Sequence, residues 1–367
     1  MNMPAPRDRD DLVDRIRLLR TRNVGPVSFR QLVVRFGSAA AALERLPELS
    51  KRAGGASVTP PARTAAEAEL AAAEAAGAAV LALGDPAYPA ALAALEDAPP
   101  ILFVLGDKAR LNQPCVALVG ARHASANGRT LAERMARDLG AAGYVVVSGL
   151  ARGIDAAAHE GALASGTVAV LAGGLDKVYP EEHVPLAEAI VAHDGAVVTE
   201  MPLGQAPRAQ HFPRRNRLVS GLSLGVVVVQ AARRSGSLIT ARLAGEQGRE
   251  VFAVPGFPLD ERHQGCNQLL REGAILTEAA ADVLAVLGHA ELRETWPEPD
   301  YEAAAPLPEP AGDVETIAAL LGPEPVPVDA LIRRSGLTAP ELLTILLDLE
   351  LAGRLDRHSG SHVSLRL

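Results

Sequence analysis

Residues 201–245 contain no Asp or Glu, in a chain whose formal net charge is −8. Arg208, Arg214, Arg215, Arg217, Arg233, Arg234 and Arg242 stand within them, with His211 and Phe212 in the densest part, QHFPRRNRLVSGLS. Guanidinium groups are permanently charged planar forks that match phosphate oxygens, so a local cation surplus of this kind points to an anionic ligand, most simply a nucleic-acid backbone. A solvated arginine-rich loop explains an isolated cluster equally well. The surrounding pattern has to decide between the two.

The elements that must position the cluster are short and apolar. VALVG (116–120), YVVVSG (144–149), VAVLAGG (168–174), AVVTE (196–200), GVVVVQA (225–231) and VFAVPG (251–256) alternate with helical patterns, and AILT (274–277) reads as a last edge strand. Runs this continuously apolar are buried on both faces, and intervening helices supply the crossovers of a parallel sheet. The expected fold is α/β, a doubly wound parallel sheet over residues 77–287. Ligands in such sheets bind beyond the carboxyl ends of the strands. Those ends carry GARHASANG, SGLARGID, GGLDKVYP, FPRRNR, RSGSLITA and VPG. Glycine permits close backbone approach, serine offers a hydroxyl, and a following helix start offers free N–H groups, which together describe a phosphate-binding rim.

Other chemistries on this scaffold fit less well. A dinucleotide site needs G-x-G-x-x-G and an acid ending the next strand. Here Gly120 and Gly128 are too far apart, Arg122 replaces the second glycine and Ser148 ends the second strand. A G-x-x-x-x-G-K-[ST] loop is missing too. Asp155, His159, Asp176 and Glu200 stand at strand ends as acid–base candidates, but an N-cap and a helix-facing histidine account for the first two. The histidines lack metal-ligand spacing, and neither Cys115 nor Cys266 belongs to a C-x-x-C pair, so neither a metal nor a cofactor is expected.

Two smaller units flank the sheet. Residues 8–76 read as a helical domain, whose RNVGPVSFRQLVVRFGSAAAAL has a Gly-Pro turn between amphipathic segments, like a helix-hairpin-helix offering backbone N–H groups to a phosphate. An ordinary helix–helix turn gives the same pattern. Residues 288–311 are acidic and proline-rich, a linker. Residues 312–367 show three helical patterns and a β-hairpin with a Ser-Gly turn, in the order of a winged helix. A DNA reader carries cations on its third helix. Here residues 337–353 hold Glu341, Asp348 and Glu350 and no Lys or Arg, so a packing or protein-interaction role is expected, with Arg354, Arg357 and Arg366 on the wing as the exception. With 367 residues, 48% of them hydrophobic, the chain can bury a sizeable core. Neither a signal peptide nor a membrane span is read, and a cytoplasmic location is expected.

From residue 88 to residue 274 the blocks VGAR with Ser125 and Gly128, SGLARGIDAAAH, GGLDKVYP, FPRRNRLVSGLS, SGSLITARLA, GREVFAVPG and GCNQLLREGA resemble, in order, those of the bacterial DNA-processing protein A (DprA or Smf) family. The resemblance implies an extended Rossmann-like domain that binds single-stranded DNA, between an N-terminal SAM or helix-hairpin-helix-like domain and a C-terminal winged helix. It further implies a non-enzymatic recombination mediator, homodimeric, that protects incoming single strands and loads RecA in natural transformation. Arg122 occupies the family's phosphate-contacting arginine. Phe212, Arg215, Asn216 and Arg217 match the FPxRNR block, Ser148, Gly149 and Gly153 match SGLAxGID, and Ser235, Gly236 and Ser237 match SGSLxTA. Arg208 stands in for a lysine some members carry just before FP, a position held here by Ala209. Ala121, Gly173, Gly174, His183 and Gln230 depart from the usual residues. The alternative is a nucleotide-binding or nucleotide-hydrolysing enzyme of the same superfamily, whose PGGxGT block is missing.

Overall fold

Valine-rich segments of four or five residues bounded by glycine are too short for helices and too apolar for loops, and each forms a strand. In the computed structural model of the chain, which describes residues 3–288, 314–358 and 360–366, they form the middle of one nine-stranded sheet. Ahead of it lie four helices, α1 (Arg9–Leu19), α2 (Pro26–Phe36), α3 (Ala39–Arg52) and α4 (Arg63–Ala75). Side chains of Asp8 and Ser38 cap α1 and α3, each accepting a first-turn N–H. Buried Arg15 donates to Leu83 O at 2.9 Å and Pro4 O at 2.7 Å, tying this unit to the start of the sheet.

The sheet domain then runs β1 (Ala79–Ala82), α5 (Ala90–Ala93), β2 (Ile101–Gly106), β3 (Cys115–Val119), α6 (Ala126–Ala141), β4 (Val145–Ser148), α7 (Ile154–Ala162), β5 (Thr167–Val170), α8 (Val184–Ala192), β6 (Ala196–Thr199), α9 (His211–Gly221), β7 (Gly225–Val228), α10 (Gly236–Glu246), β8 (Glu250–Ala253), α11 (Glu261–Arg271), β9 (Ile275–Leu276) and α12 (Ala280–Leu287). Strand order is β1-β2-β6-β5-β4-β3-β7-β8-β9. The strands from β6 to β9 are parallel, while β1 and β2 add an antiparallel edge. Alternate residues of a strand serve opposite faces: Val116 and Leu118 pack with Met135, Leu139 and Ile154, whereas Ala117 and Val119 belong to the core that holds Leu218 and Val219. The chain lays down β3 to β6 on one side and returns beside β3 with β7, so direction reverses between β3 and β7.

At the C-terminus α13 (Val314–Ala319), β10 (Val326–Pro327), α14 (Val328–Ser335), α15 (Ala339–Leu351), β11 (Leu355–His358) and β12 (His362–Leu365) form a winged helix. One side of α15 (Leu342, Ile345, Leu346, Leu349) fills that module's core, while Leu347 and Leu351 join the core of the rest of the chain. Asn23 Nδ2 donates to Leu351 O and Arg354 Nη1 to Ala53 O, both at 3.1 Å. Glu350, paired with Arg357 at 2.7 Å, packs beside Gly25 and bonds Ser28, so the turn between α1 and α2 faces a carboxylate of the same chain. That geometry favours the ordinary-turn reading of the Gly-Pro segment over a phosphate cradle. The proline-rich linker expected at 288–311 lies, but for Gly288, outside the described residues.

Both cysteines are free and buried, and burial pushes each thiol up to about 12. Among the described residues no helix is long and apolar enough to cross a membrane.

Candidate nucleic-acid interface

Because β3 to β8 are parallel, their following loops meet at one edge. A pocket opens there, lined by Arg122 from the β3–α6 loop, Gly149, Ala151 and Arg152 after β4, Leu171 to Gly173 with Lys177, Tyr179 and Pro180 after β5, and Phe212 and Arg215 of α9. The ring of Phe212 lies at its wall, edge-to-face with Tyr179 at 5.6 Å. The exposed Arg122 guanidinium sits 5.3 Å from the Phe212 centroid, a cation–π contact that holds the cation at the mouth. An apolar ring with a cation held over it suits a base and its phosphate.

Arg215 forms the floor. Buried, it donates through Nη1 to Gly149 O at 2.5 Å and to Val170 O, binding the carboxyl ends of β4 and β5 together. Burial lowers its pKa to about 10, partly offset by Asp155, so it stays charged at neutral pH. A Cβ on Gly149 would stand 2.6 Å from the guanidinium, which is why this position takes glycine. Asp155 accepts Gly149 N at 3.2 Å and Ala151 N at 3.3 Å, and burial raises its pKa while Arg215 opposes the rise. Fully buried His159 meets Thr167 Oγ1 at 2.9 Å, its pKa lowered to about 3 by burial, with Arg215 adding to the effect. Asp155 and His159 therefore serve internal contacts. Gly153, not Asp155, caps α7, at φ 79°, where a Cβ would collide with Ala121 O at 2.2 Å.

The structure divides the remaining expected residues. Arg217 is buried, with Nη2 2.5 Å from Glu200 Oε2 and Nη1 2.6 Å from Asp97 O; it braces the domain and is withdrawn from the rim. Half-exposed Arg214 shares Glu200 at 2.8 Å. Ser148 is buried and donates to Leu118 O at 2.6 Å, a contact inside the sheet and not one with a phosphate. Ser125 and Ser235 cap α6 and α10, accepting Gly128 N and Ser237 N, and the Ser235 and Ser237 hydroxyls meet at 2.7 Å. Asn216 Nδ2 donates to the exposed Gly236 O at 3.3 Å, joining α9 to the start of α10. Arg208 is exposed at the start of α9, its backbone N–H 3.3 Å from His211 Nδ1. Arg122, Gly149, Phe212 and Arg215 meet in the pocket; Ser235, Gly236 and Ser237 lie further along the edge.

Three further lining residues, Tyr179, Arg152 and Lys177, carry no signal of their own in the sequence. The GGLDKVYP block was visible, but nothing in it says that Tyr179 stays 48% exposed beside Phe212. Asp176 receives Gly204 N at 2.7 Å, and Arg152 pairs with Glu182 at 2.6 Å. Among the described residues no group of three or more His, Cys, Asp or Glu could hold a metal ion.

Residues 79–288, the whole sheet domain, match the family described as DNA recombination-mediator protein A. The chain belongs to that family. Residues 9–72 match its DprA-like N-terminal HHH domain and residues 301–361 its DprA winged helix domain. Protein Smf of Escherichia coli K12 is 41% identical over 270 residues, 71% of this chain and 70% of that protein. DNA processing protein DprA of Streptococcus pneumoniae R6 is 45% identical over 182 residues, 49% of this chain and 64% of its own length. Two solved structures, both 32% identical, resemble the fold. DprA from S. pneumoniae aligns with a TM-score of 0.60 over 78% of this chain and 98% of its own. DNA processing protein A from Helicobacter pylori, solved to explain its single-stranded DNA binding mode, aligns with 0.53 over 58% and 96%.

Proposed function

We propose that this chain binds single-stranded DNA in the strand-end pocket and acts, without catalysis, as a recombination mediator that protects single strands and loads RecA during natural transformation. The observation that carries the reading is the Arg122–Phe212–Tyr179 group, a stacking ring with a free cation above it and a buried cation, Arg215, below. Rings take any base face and arginines track the backbone, which suits a flexible single strand. The spent state of Asp155 and His159 supports a binding role over hydrolysis. Action as a cytoplasmic homodimer belongs to the same proposal, supported for the compartment by two free cysteines.

A single nucleotide also offers one base to the Phe212 ring and one phosphate to Arg122, which favours a free nucleotide as the second reading. Competition of fluorescent oligo-dT by AMP-class nucleotides and by duplex separates them. Single-strand binding resistant to both supports the proposal; displacement by AMP at comparable concentration supports the second reading.

A further inference from the structure

We propose that the DNA path continues beyond the pocket, across the point between β3 and β7, to the β8–α11 loop, where Phe257 is a second base-stacking platform. The inference rests on the pocket being a single-stranded DNA site. Aromatic residues make up only 3% of the chain, and Phe29, Phe103 and Phe252 are fully buried. Phe257 is 66% exposed, on a strand-end loop at the same edge as Phe212. A phenylalanine exposed on the ligand-binding edge of a parallel sheet presents a ring face where a ligand passes.

Strand order fixes the route. From β5 to β8 there are four strand spacings of about 4.8 Å, roughly 19 Å. The pocket lies at one end and Phe257 at the other. Arg122 after β3 stands at the pocket's mouth and Arg233 and Arg234 follow after β7, all exposed, and among the described residues none of the three has an ion-pair partner. The crevice at the reversal point is itself filled. Gln230 accepts Ser125 N and donates to Ser125 Oγ, both at 2.9 Å, and a Cβ on Gly128 would stand 2.4 Å from the same amide. A strand must therefore pass over this point and not into it.

The far platform is also held in place. Gln230 Nε2 lies 3.2 Å from His263 Nε2, and His263 packs against Gly256. Asn267 Nδ2 donates to Gly256 O at 2.9 Å, and Gly256 N donates back to Asn267 Oδ1 at 3.2 Å. The residue before Phe257 is thus linked through His263 and Gln230 to Ser125, the cap of α6, three residues after Arg122. A ring on a supported loop needs little ordering when a base stacks on it.

Fluorescent oligo-dT of about 4 and about 16 nucleotides, spanning the usual site sizes, tests this. Phe257→Ala and Phe257→Leu should weaken the long oligonucleotide by roughly 5- to 150-fold and leave the short one unchanged. Phe257→Trp should retain affinity, with its fluorescence quenched by the long strand only. Unchanged long-strand affinity in the leucine variant overturns the proposal. So does a defect in alanine that leucine restores, or one that appears as altered oligomeric mass, because Phe257 and the 82% exposed Leu259 would then be an apolar protein contact. Arg122→Ala serves as the control. If it fails to weaken either oligonucleotide, the reading of the pocket has failed instead.

Discussion

The carboxyl edge of the sheet and the winged helix are both built as nucleic-acid readers are built, and they differ in what their charges touch. At the edge, Arg122, Arg208, Arg233 and Arg234 are exposed, and among the described residues none has an ion-pair partner. On the wing, Arg354 pairs with Glu315, Arg357 with Glu350 and Arg366 with Asp356. The third helix, which such a module would insert into a groove, has its second apolar side in the core shared with the N-terminal helices. Arg333 and Arg334 remain on α14, in its last turn, where the helix dipole favours cations. The difference teaches that fold alone does not assign a DNA site, and that uncompensated charge on a supported edge is what makes the sheet the proposed one.

The comparison applies first within α9 itself. Arg217→Ala leaves Glu200 buried with only the half-exposed Arg214, and should cost about 3–5 kcal/mol of stability in chemical denaturation. Single-strand affinity of the folded fraction should stay the same. A variant that is stable but binds poorly would return Arg217 to the rim.

On the other side of the comparison stands Asp348, buried on α15; among the described residues neither carboxylate oxygen has a hydrogen-bond partner, and Arg35 and Arg52 are the cations that act on it. Burial raises its pKa to about 6 from 3.8. A raised folded-state pKa means that its contribution is fully present below 3.8 and lost as pH rises through about 6. Asp348→Asn should therefore stabilise the protein at pH 7.5, by up to about 3 kcal/mol, with the gain fading as pH falls. Thermal melts of the two proteins across pH check this. A gain independent of pH would mean that the carboxylate is not the source.

Phe212→Ala should cost roughly 1–3 kcal/mol in single-strand affinity, the stacking range, with little change in stability. Full affinity would make the ring a packing residue. The smallest effect is expected from truncation at Leu287, because the pocket and the free arginines lie upstream. Short-oligonucleotide affinity should be unchanged by fluorescence titration. Its collapse in a folded truncated protein would make the wing arginines true ligands.

Much of this was legible in the sequence. Unbroken valine runs ending in glycine fix both the strands and the edge where the loops gather, and the acidic third helix already disfavoured groove reading. What could not be read is direction. Arg214, Arg215 and Arg217 are near neighbours in sequence, yet on a helix Arg215 turns to the ends of β4 and β5, while Arg217 and the half-exposed Arg214 both pair with Glu200. A count of arginines overstates the free charge by whatever tertiary contacts neutralise. Ser148 misled for a similar reason, since a strand's last hydroxyl can satisfy a neighbouring strand's carbonyl as readily as a ligand. Tyr179 escaped notice because exposure of an aromatic depends on packing across three loops.

The central claim is that free arginines at this edge hold phosphates, and the salt dependence of oligo-dT binding tests it most directly. For wild type and for Arg122→Ala, the slope of log affinity against log salt should differ by about 0.7, the value for one lost single-strand phosphate contact. An identical slope in a folded Arg122→Ala protein would contradict the account.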